Sequence, residues 1–318
     1  MATTRHDRLR PFFYLLPAAL LLIVFSILPV LYGLIVSFCR WGITYERFVG
    51  LGNYYKVLLD PEFRQSLTVT IYYVIGTVPV GLILSYIIAS LLVQKLRGMG
   101  AYRTIYFLPY ITSTVAAAAI WKWIFHPGDR GLANGLLAWI GGLVGKADMP
   151  AVLWVQDPRS IFRVFGEIIG VDINWGGPSV ALLCVIIFSI WHSLGFNIVI
   201  FLAALSALPN EVNEAAMIDG ARGWKMARHI TLPLISPTIV FLLVISVIRA
   251  FQAFNQIYVM IGEHALPEAQ NVTFFIFSKF YNSGEVGYGS AAAFVLFLII
   301  MLLTVAQMRL LSKMTHYS

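Results

Sequence analysis

Charge is scarce in this chain, and acid is scarcer still. Charged residues make up 12% of 318 positions, with 15 Asp and Glu against 22 Lys and Arg. Soluble chains carry about a quarter charged residues, so this composition excludes a large soluble enzyme and a disordered chain alike. Cysteine is nearly absent. Cys39 and Cys184 stand far apart, in or beside apolar runs, which excludes a disulfide-stapled secreted fold. No set of His, Cys, Asp or Glu at metal-ligand spacing stands in the apolar runs, so no metal site is expected. A G-x-x-x-x-G-K-[ST] loop is missing too, so the chain lacks the usual cradle for nucleotide phosphates. The net charge of +7 does not indicate nucleic acid, which requires a clustered basic face; here the basic residues punctuate apolar runs.

What the chain has is apolar length. Hydrophobic residues reach 59% and the mean hydropathy is +0.81. A helix crossing the hydrocarbon of a membrane needs about 20 mostly apolar residues. Six stretches qualify: residues 12–38, 66–93, 104–125, 179–207, 234–261 and 286–308, whose only formal charges are Lys122 and Arg249. Pro17, Pro29, Pro79, Pro109 and Gly195 inside them are tolerable, because neighbours or water satisfy freed backbone groups in membrane helices. The expected fold is all-α: a polytopic domain of six transmembrane helices over residues 12–308, between short termini at 1–11 and 309–318. The first stretch is too long for a signal-peptide core and no small-x-small site closes it, so an uncleaved first helix is expected.

Lys and Arg placement gives the orientation. With the N-terminus cytoplasmic, inside segments hold Arg5, Arg8, Arg10, Lys95, Arg97, Arg103, Arg222, Lys225, Arg228, Arg309 and Lys313 against four acids. Outside segments hold nine bases against 11 acids over roughly twice the length. Both termini are therefore expected inside, with membrane lipid around the spans. One outer segment, 126–178, is long for a connection. It carries Trp139, Trp154, Trp175 and an amphipathic stretch at 159–169, which reads as a helix lying in the interface or as a docking surface for an external partner.

The cytoplasmic loop 208–233 is unlike the other connectors. Asn210 is placed to cap a short helix with Glu211 and Glu214 in its first turns, favourable against the helix dipole. Ala215 and Ala216 leave that helix shallow, and Gly220 is a natural C-terminal stop. A second short helix, 224–230, follows before Pro233 and Pro237. The product is a helix–glycine–helix elbow with small residues where another protein's groove can approach. From geometry alone it is equally an ordinary amphipathic loop.

The residues Glu214-Ala215-Ala216-x-x-Asp219-Gly220-Ala221, then Ile230-x-Leu232-Pro233 and Pro237, resemble the EAA loop of membrane subunits in binding-protein-dependent ABC importers. Phe48-Val-Gly-Leu-Gly-Asn-Tyr54, Tyr106-Phe-Leu-Pro109 and the run 251–259 are similar to the carbohydrate-import branch, the maltose-type and glycerol-phosphate-type permeases. The resemblance implies a type I importer transmembrane domain that pairs with a second, related permease on an ATPase dimer. An extracytoplasmic substrate-binding protein then delivers a sugar. The alternative solute is glycerol-3-phosphate or a related phosphodiester. It also implies that this chain is no enzyme and binds no cofactor, ATP and Mg²⁺ belonging to the ATPase. Its place is a bacterial or archaeal cytoplasmic (inner) membrane. Glu214 and Asp219 are the expected polar anchors on the ATPase, with Ala215, Ala216, Gly220 and Ala221 for close packing.

Polar groups inside spans are expensive in lipid and tend to face a cavity or partner. Arg249, Gln252 and Asn255 recur at three-residue spacing, as if on one helical face. The resemblance implies sugar contacts for Gln252 and Asn255, whose amides suit hydroxyls, and for positions at Leu194, Gly195 and Phe196. Gly195 reads equally as a helix-packing residue. Arg249 stays open between attracting an anionic solute, binding a carbonyl at a broken helix and pairing with an acid of the partner permease, a structural role being preferred. Lys122 is expected to snorkel, and His192 to pack with a hydrogen bond. A secondary transporter would need coupling acids, and none of the six stretches contains Asp or Glu. A membrane-embedded enzyme would need more than a lone His192.

Overall fold

The computed structural model describes residues 5–42, 44–93, 98–128, 131–143, 152–169, 171, 176–262 and 266–311. Lys95, Arg97, Lys313 and Trp175 lie outside them. The chain forms two compact units, one within Met1–Asp60 and Ile276–Leu298, the other within Pro61–Phe275 and Ile299–Ser318.

In the first unit, α1 (Tyr14–Ser37) leaves its apolar side chains almost wholly uncovered. The helix itself begins at Arg5, earlier than expected, and passes through a π turn at Ile23–Ile27. That turn sits just before Pro29, which has no N–H to donate, and Leu28 N–H reaches back to Ile23 O. A hairpin of β1 (Cys39–Trp41) and β2 (Tyr45–Phe48) follows, then α2 (Gly52–Leu59). The 48–54 motif has a physical purpose here. Asn53 is buried and donates to Ser37 O and Cys39 O, both at 2.9 Å, carbonyls left over where α1 ends. Tyr54 and Ser37 share a 2.6 Å hydroxyl contact.

The second unit is built on α3 (Pro61–Leu92) packed along α8 (Val180–Ser206). Around this pair lie α4 (Met99–Ile111), α5 (Thr114–Ile124), α11 (Ser236–Phe251) and α12 (Asn255–Ile261). Four helices are long and apolar enough to cross a membrane among the described residues: α1, α3, α8 and α14 (Val286–Leu311). The count reaches six only when bent pairs are taken as single spans.

Two of the expected continuous spans are broken, the third within a bent pair and the fifth beyond the end of α11, while the second bent pair joins residues 224–234 to α11. The third bends by 94° between α4 and α5, where Thr112 and Ser113 are extended. The run Thr112-Ser113-Thr114 supplies hydroxyls that compete with helical bonding, and Thr112 Oγ1 turns back onto Leu108 O. The fifth span breaks at Gln252–Phe254, between α11 and α12. A short helix α13 (Val272–Tyr281), not expected from hydropathy, follows.

The long outer segment is structured at both ends. α6 (Leu132–Leu143) and α7 (Ile161–Ile169) flank a 3-10 turn at Trp154–Gln156. Asn134 is buried and ties it together, donating to Gly128 O and Val152 O and accepting from Val152 N–H and Trp154 Nε1. Asp157, fully buried, is gripped by Arg159 at 2.7 Å, and Arg159 reaches Glu167 at 2.6 Å. Burial by itself raises the Asp157 pKa, but the hydrogen bonds and charge of Arg159 outweigh it and hold the carboxyl below its ordinary value. A depressed carboxyl stabilises the fold above its free pKa, and that contribution is lost as pH falls through the lowered one. Protection from amide exchange over residues 152–169, relative to the intrinsic rate at each pH, is therefore expected to be high at neutral pH and to fall below about pH 4. Arg159→Ala should show the low protection at neutral pH.

Candidate functional site

Two features stand out once the backbone is in place. The first is the elbow in loop 208–233. Helix α9 runs Asn210–Ile218 with Pro209, not Asn210, at the cap position and no side-chain cap bond. Its C-terminus closes with two backbone bonds, Ala221 N–H to Ala216 O at 2.9 Å and Gly220 N–H to Met217 O at 3.1 Å. This is the Schellman arrangement, and it requires the left-handed φ of +79° that Gly220 adopts. A Cβ there would touch nothing, so the backbone angle alone demands glycine. Gly223 (φ +54°) turns the chain again into α10 (Trp224–Leu234), which carries a π turn at Ala227–Thr231 and meets α11 at 74°. The expected second helix is thus longer, with Pro233 inside it and the next span starting at Ser236.

Of the six elbow residues singled out, Glu214, Ala215, Asp219 and Gly220 are exposed, Ala221 is half-buried and Ala216 is buried. Ala216 therefore packs inward and does not face a docking groove. Apolar bulk that the motif did not single out is left bare instead: Ile218 is 86% exposed and Trp224 70%, with Met217 beside them.

The second feature is a cavity of about 330 Å³ inside the second unit. Tyr73, Ser189 and Gln256 form a hydrogen-bonded chain on its wall: Gln256 Nε2 donates to the Tyr73 hydroxyl at 2.9 Å, and that hydroxyl donates to Ser189 at 2.8 Å. His192 contacts Thr112 O and Thr114 Oγ1 at 3.4 Å, bridging the break between α4 and α5. Arg249 lies in the last turn of α11, where a cation suits the helix dipole. Its guanidinium sits 4.4 Å from the Phe196 ring centroid, and Phe196 packs on Tyr110.

The common face expected of Arg249, Gln252 and Asn255 does not form. The helix ends at Phe251, so i, i+3 facing is lost across the break. Arg249 lines the cavity; Gln252 and Asn255 do not, and both are exposed. The break has its own clamp, built of residues the sequence did not flag. Asn271 Nδ2 and Thr273 Oγ1 both donate to Ala253 O, and Asn271 Oδ1 accepts from Phe274 N–H at 3.0 Å. Asn271 is fully buried. Freed backbone groups in a membrane segment need such partners, and the clamp holds Gln252 and Asn255 at the turn. Gly195 is a packing position: an added Cβ would lie 2.7 Å from Tyr106 O and 3.0 Å from Phe107 Cα, so α4 crosses α8 at this glycine. Leu194 and Phe196 are half-buried.

A family model described as "Binding-protein-dependent transport system inner membrane component" matches residues 62–316. The chain belongs to this family. It is a multi-pass membrane permease subunit of the ABC-importer type. Among its relatives, the probable ABC transporter permease protein YesP of Bacillus subtilis is 31% identical, covering 98% of this chain and 94% of that protein. The trehalose/maltose transport system permease protein MalF of Thermococcus litoralis is 29% identical, covering 93% and 91%. The sn-glycerol-3-phosphate transport system permease protein UgpA of Agrobacterium fabrum is 29% identical, covering 98% and 97%. A chain from the crystal structure of a bacterial ABC transporter that imports the acidic polysaccharide alginate superposes with a TM-score of 0.78 at 21% identity, covering 98% of each chain, and so shares the fold of this permease.

Proposed function

We propose that this permease is one half of the membrane domain of an ATP-driven sugar importer. A second, related permease forms the other half, an ATPase dimer binds below, and an extracytoplasmic binding protein delivers the solute. Both termini face the cytoplasm, the membrane is the cytoplasmic one, and ATP hydrolysis resides in the partner. The observation that carries this reading is the elbow: a helix locked by a glycine cap, presenting Ile218, Met217 and Trp224 uncovered. Bare apolar side chains of that size on a polar loop mark a docking surface. A short, stiff docked helix transmits motion when its contacts differ between two states of the partner. Gln252 and Asn255, exposed at a clamped turn, are the solute-facing amides of the path.

The relatives named for trehalose/maltose and for arabinooligosaccharides support a sugar as cargo. The glycerol-3-phosphate relatives and Arg249 favour a second reading, a phosphate ester. The test is reconstitution of the permease with its ATPase and second permease in liposomes. ATP-dependent uptake that needs the binding protein is the expected result. Uptake of sugar by this chain alone, without ATP, would overturn it.

A further inference from the structure

Three polar side chains on the cavity wall, Asn197, Ser246 and Arg249, make no hydrogen bond to a described residue. Asn197 is only 4% exposed, lines the cavity and has no hydrogen-bond partner among the described residues. Its amide opens onto the cavity, where a solute or water can take it. Arg249 pairs with no carboxylate among the described residues, and the cavity wall contains no Asp or Glu. The Phe196 ring covers one face of its planar guanidinium. The five N–H donors lie in the guanidinium plane, so a stacked arginine still presents its edge to a partner. Arg249 is itself exposed, at the edge of the cavity, and a cation in a membrane-spanning helix is retained where it meets water, a charge or a solute.

The Tyr73–Ser189–Gln256 chain, by contrast, satisfies itself. The free groups are therefore the Asn197 amide, the Ser246 hydroxyl and, at the exposed edge of the cavity, the Arg249 cation, with no acid on the wall, which is a donor set for an anion. The volume of about 330 Å³ exceeds what one carboxylate fills and lies at the small end of ligand pockets, about 300–1,000 Å³. Tyr110 and Phe188 add aromatic surface beside the hydroxyls of Thr77 and Ser193. That mixture suits a single sugar ring bearing a charge. Arg249 also lies one turn before the exposed Gln252, so the charged group and the neutral amides are neighbours in sequence at the end of α11.

We propose that this cavity is a subsite for an anionic group, a carboxylate or phosphate, carried by the transported saccharide, with Arg249 as its charge partner and Asn197 as a second donor. The proposal rests on the reading of the chain as a sugar-import permease and names the class of sugar. It is tested by equilibrium binding of radiolabelled galacturonate and galactose to the assembled importer in phosphatidylcholine nanodiscs, without binding protein. Galacturonate is expected to bind roughly tenfold to a hundredfold more tightly than galactose, the worth of a charge-assisted hydrogen bond. Arg249→Gln should erase that preference and Arg249→Lys should restore part of it, both variants eluting as intact complexes. Equal binding of the two sugars, or an unchanged preference in Arg249→Gln, would overturn the subsite. So would displacement of galacturonate by inorganic phosphate as effective as by galacturonate itself, which shows a bare-anion site. Loss of galacturonate binding on adding phosphatidylglycerol shows a lipid headgroup as occupant and also overturns it. ATP-driven uptake of a neutral sugar by the same complex tells failure of the subsite apart from failure of the import reading.

Discussion

Gly220→Pro is expected to abolish ATP-driven uptake while the subunit still inserts and assembles in the membrane. Proline fixes φ near −65°, whereas Gly220 sits at +79°. It also removes the N–H that closes the cap on Met217 O. The cap is lost, and nothing then holds the chain at the angle at which it leaves α9. Gly220→Ala keeps the N–H but strains the angle by roughly 1–2 kcal/mol, about a fivefold to thirtyfold shift against the capped elbow, and coupled uptake should fall with it. Glu214→Lys makes the complementary change. Glu214 is exposed, so inverting its charge leaves the fold within about 0.5 kcal/mol. Uptake should nevertheless collapse, because the proposed polar anchor on the ATPase is reversed. Uptake rates in liposomes, alongside ATP hydrolysis by the same preparations, check both. Undiminished uptake in all three variants would remove the elbow from the mechanism.

The second large effect concerns the turn that presents Gln252 and Asn255. Asn271→Ala leaves Phe274 N–H without its acceptor and halves the grip on Ala253 O. A buried orphan group costs about 1–3 kcal/mol. The double variant Asn271→Ala, Thr273→Val strips both side-chain donors from Ala253 O, and its cost should exceed the sum of the singles because they share that oxygen. Thermal unfolding in detergent measures the loss. Beyond stability, a loosened turn misplaces the two amides, so the apparent KM for sugar should rise at temperatures where the variant is still fully folded. An unchanged KM there would mean that the clamp only holds the fold and does not position the path.

The sequence made local features legible and hid distant ones. Gly220 announced the helix stop because a Schellman cap is made within six residues. Apolar length located the spans, since hydrophobicity over about 20 residues is a property of composition alone. The breaks were hidden for the opposite reason. The turn at 252–254 is stabilised by Asn271, 18 positions from Ala253, and hydropathy does not register a clamp of that kind. Treating residues 234–261 as one helix then put Gln252 and Asn255 on the face of Arg249, a juxtaposition the break removes. Thr112-Ser113-Thr114 carried a readable hint, three hydroxyl residues in an apolar run, and His192 contacts the bend they make. Ile218 and Trp224 were not legible as uncovered bulk, because their exposure depends on how the elbow folds and not on composition. Tyr73 and Asn197 looked like ordinary members of apolar helices until α3 and α8 were packed together.

The proposed mechanism requires a nucleotide-driven neighbour to hold the elbow. The native thiols, Cys39 and Cys184, are both buried, so a single new cysteine reports cleanly. Ala215→Cys places it on the exposed face of α9. Site-specific crosslinking from that position in the assembled importer, with and without ATP, is the most direct measurement. An adduct with the ATPase subunit is expected, and its yield should change when nucleotide binds. Labelling of the thiol by a water-soluble reagent at the same rate with and without the ATPase, and no adduct in either state, would contradict it.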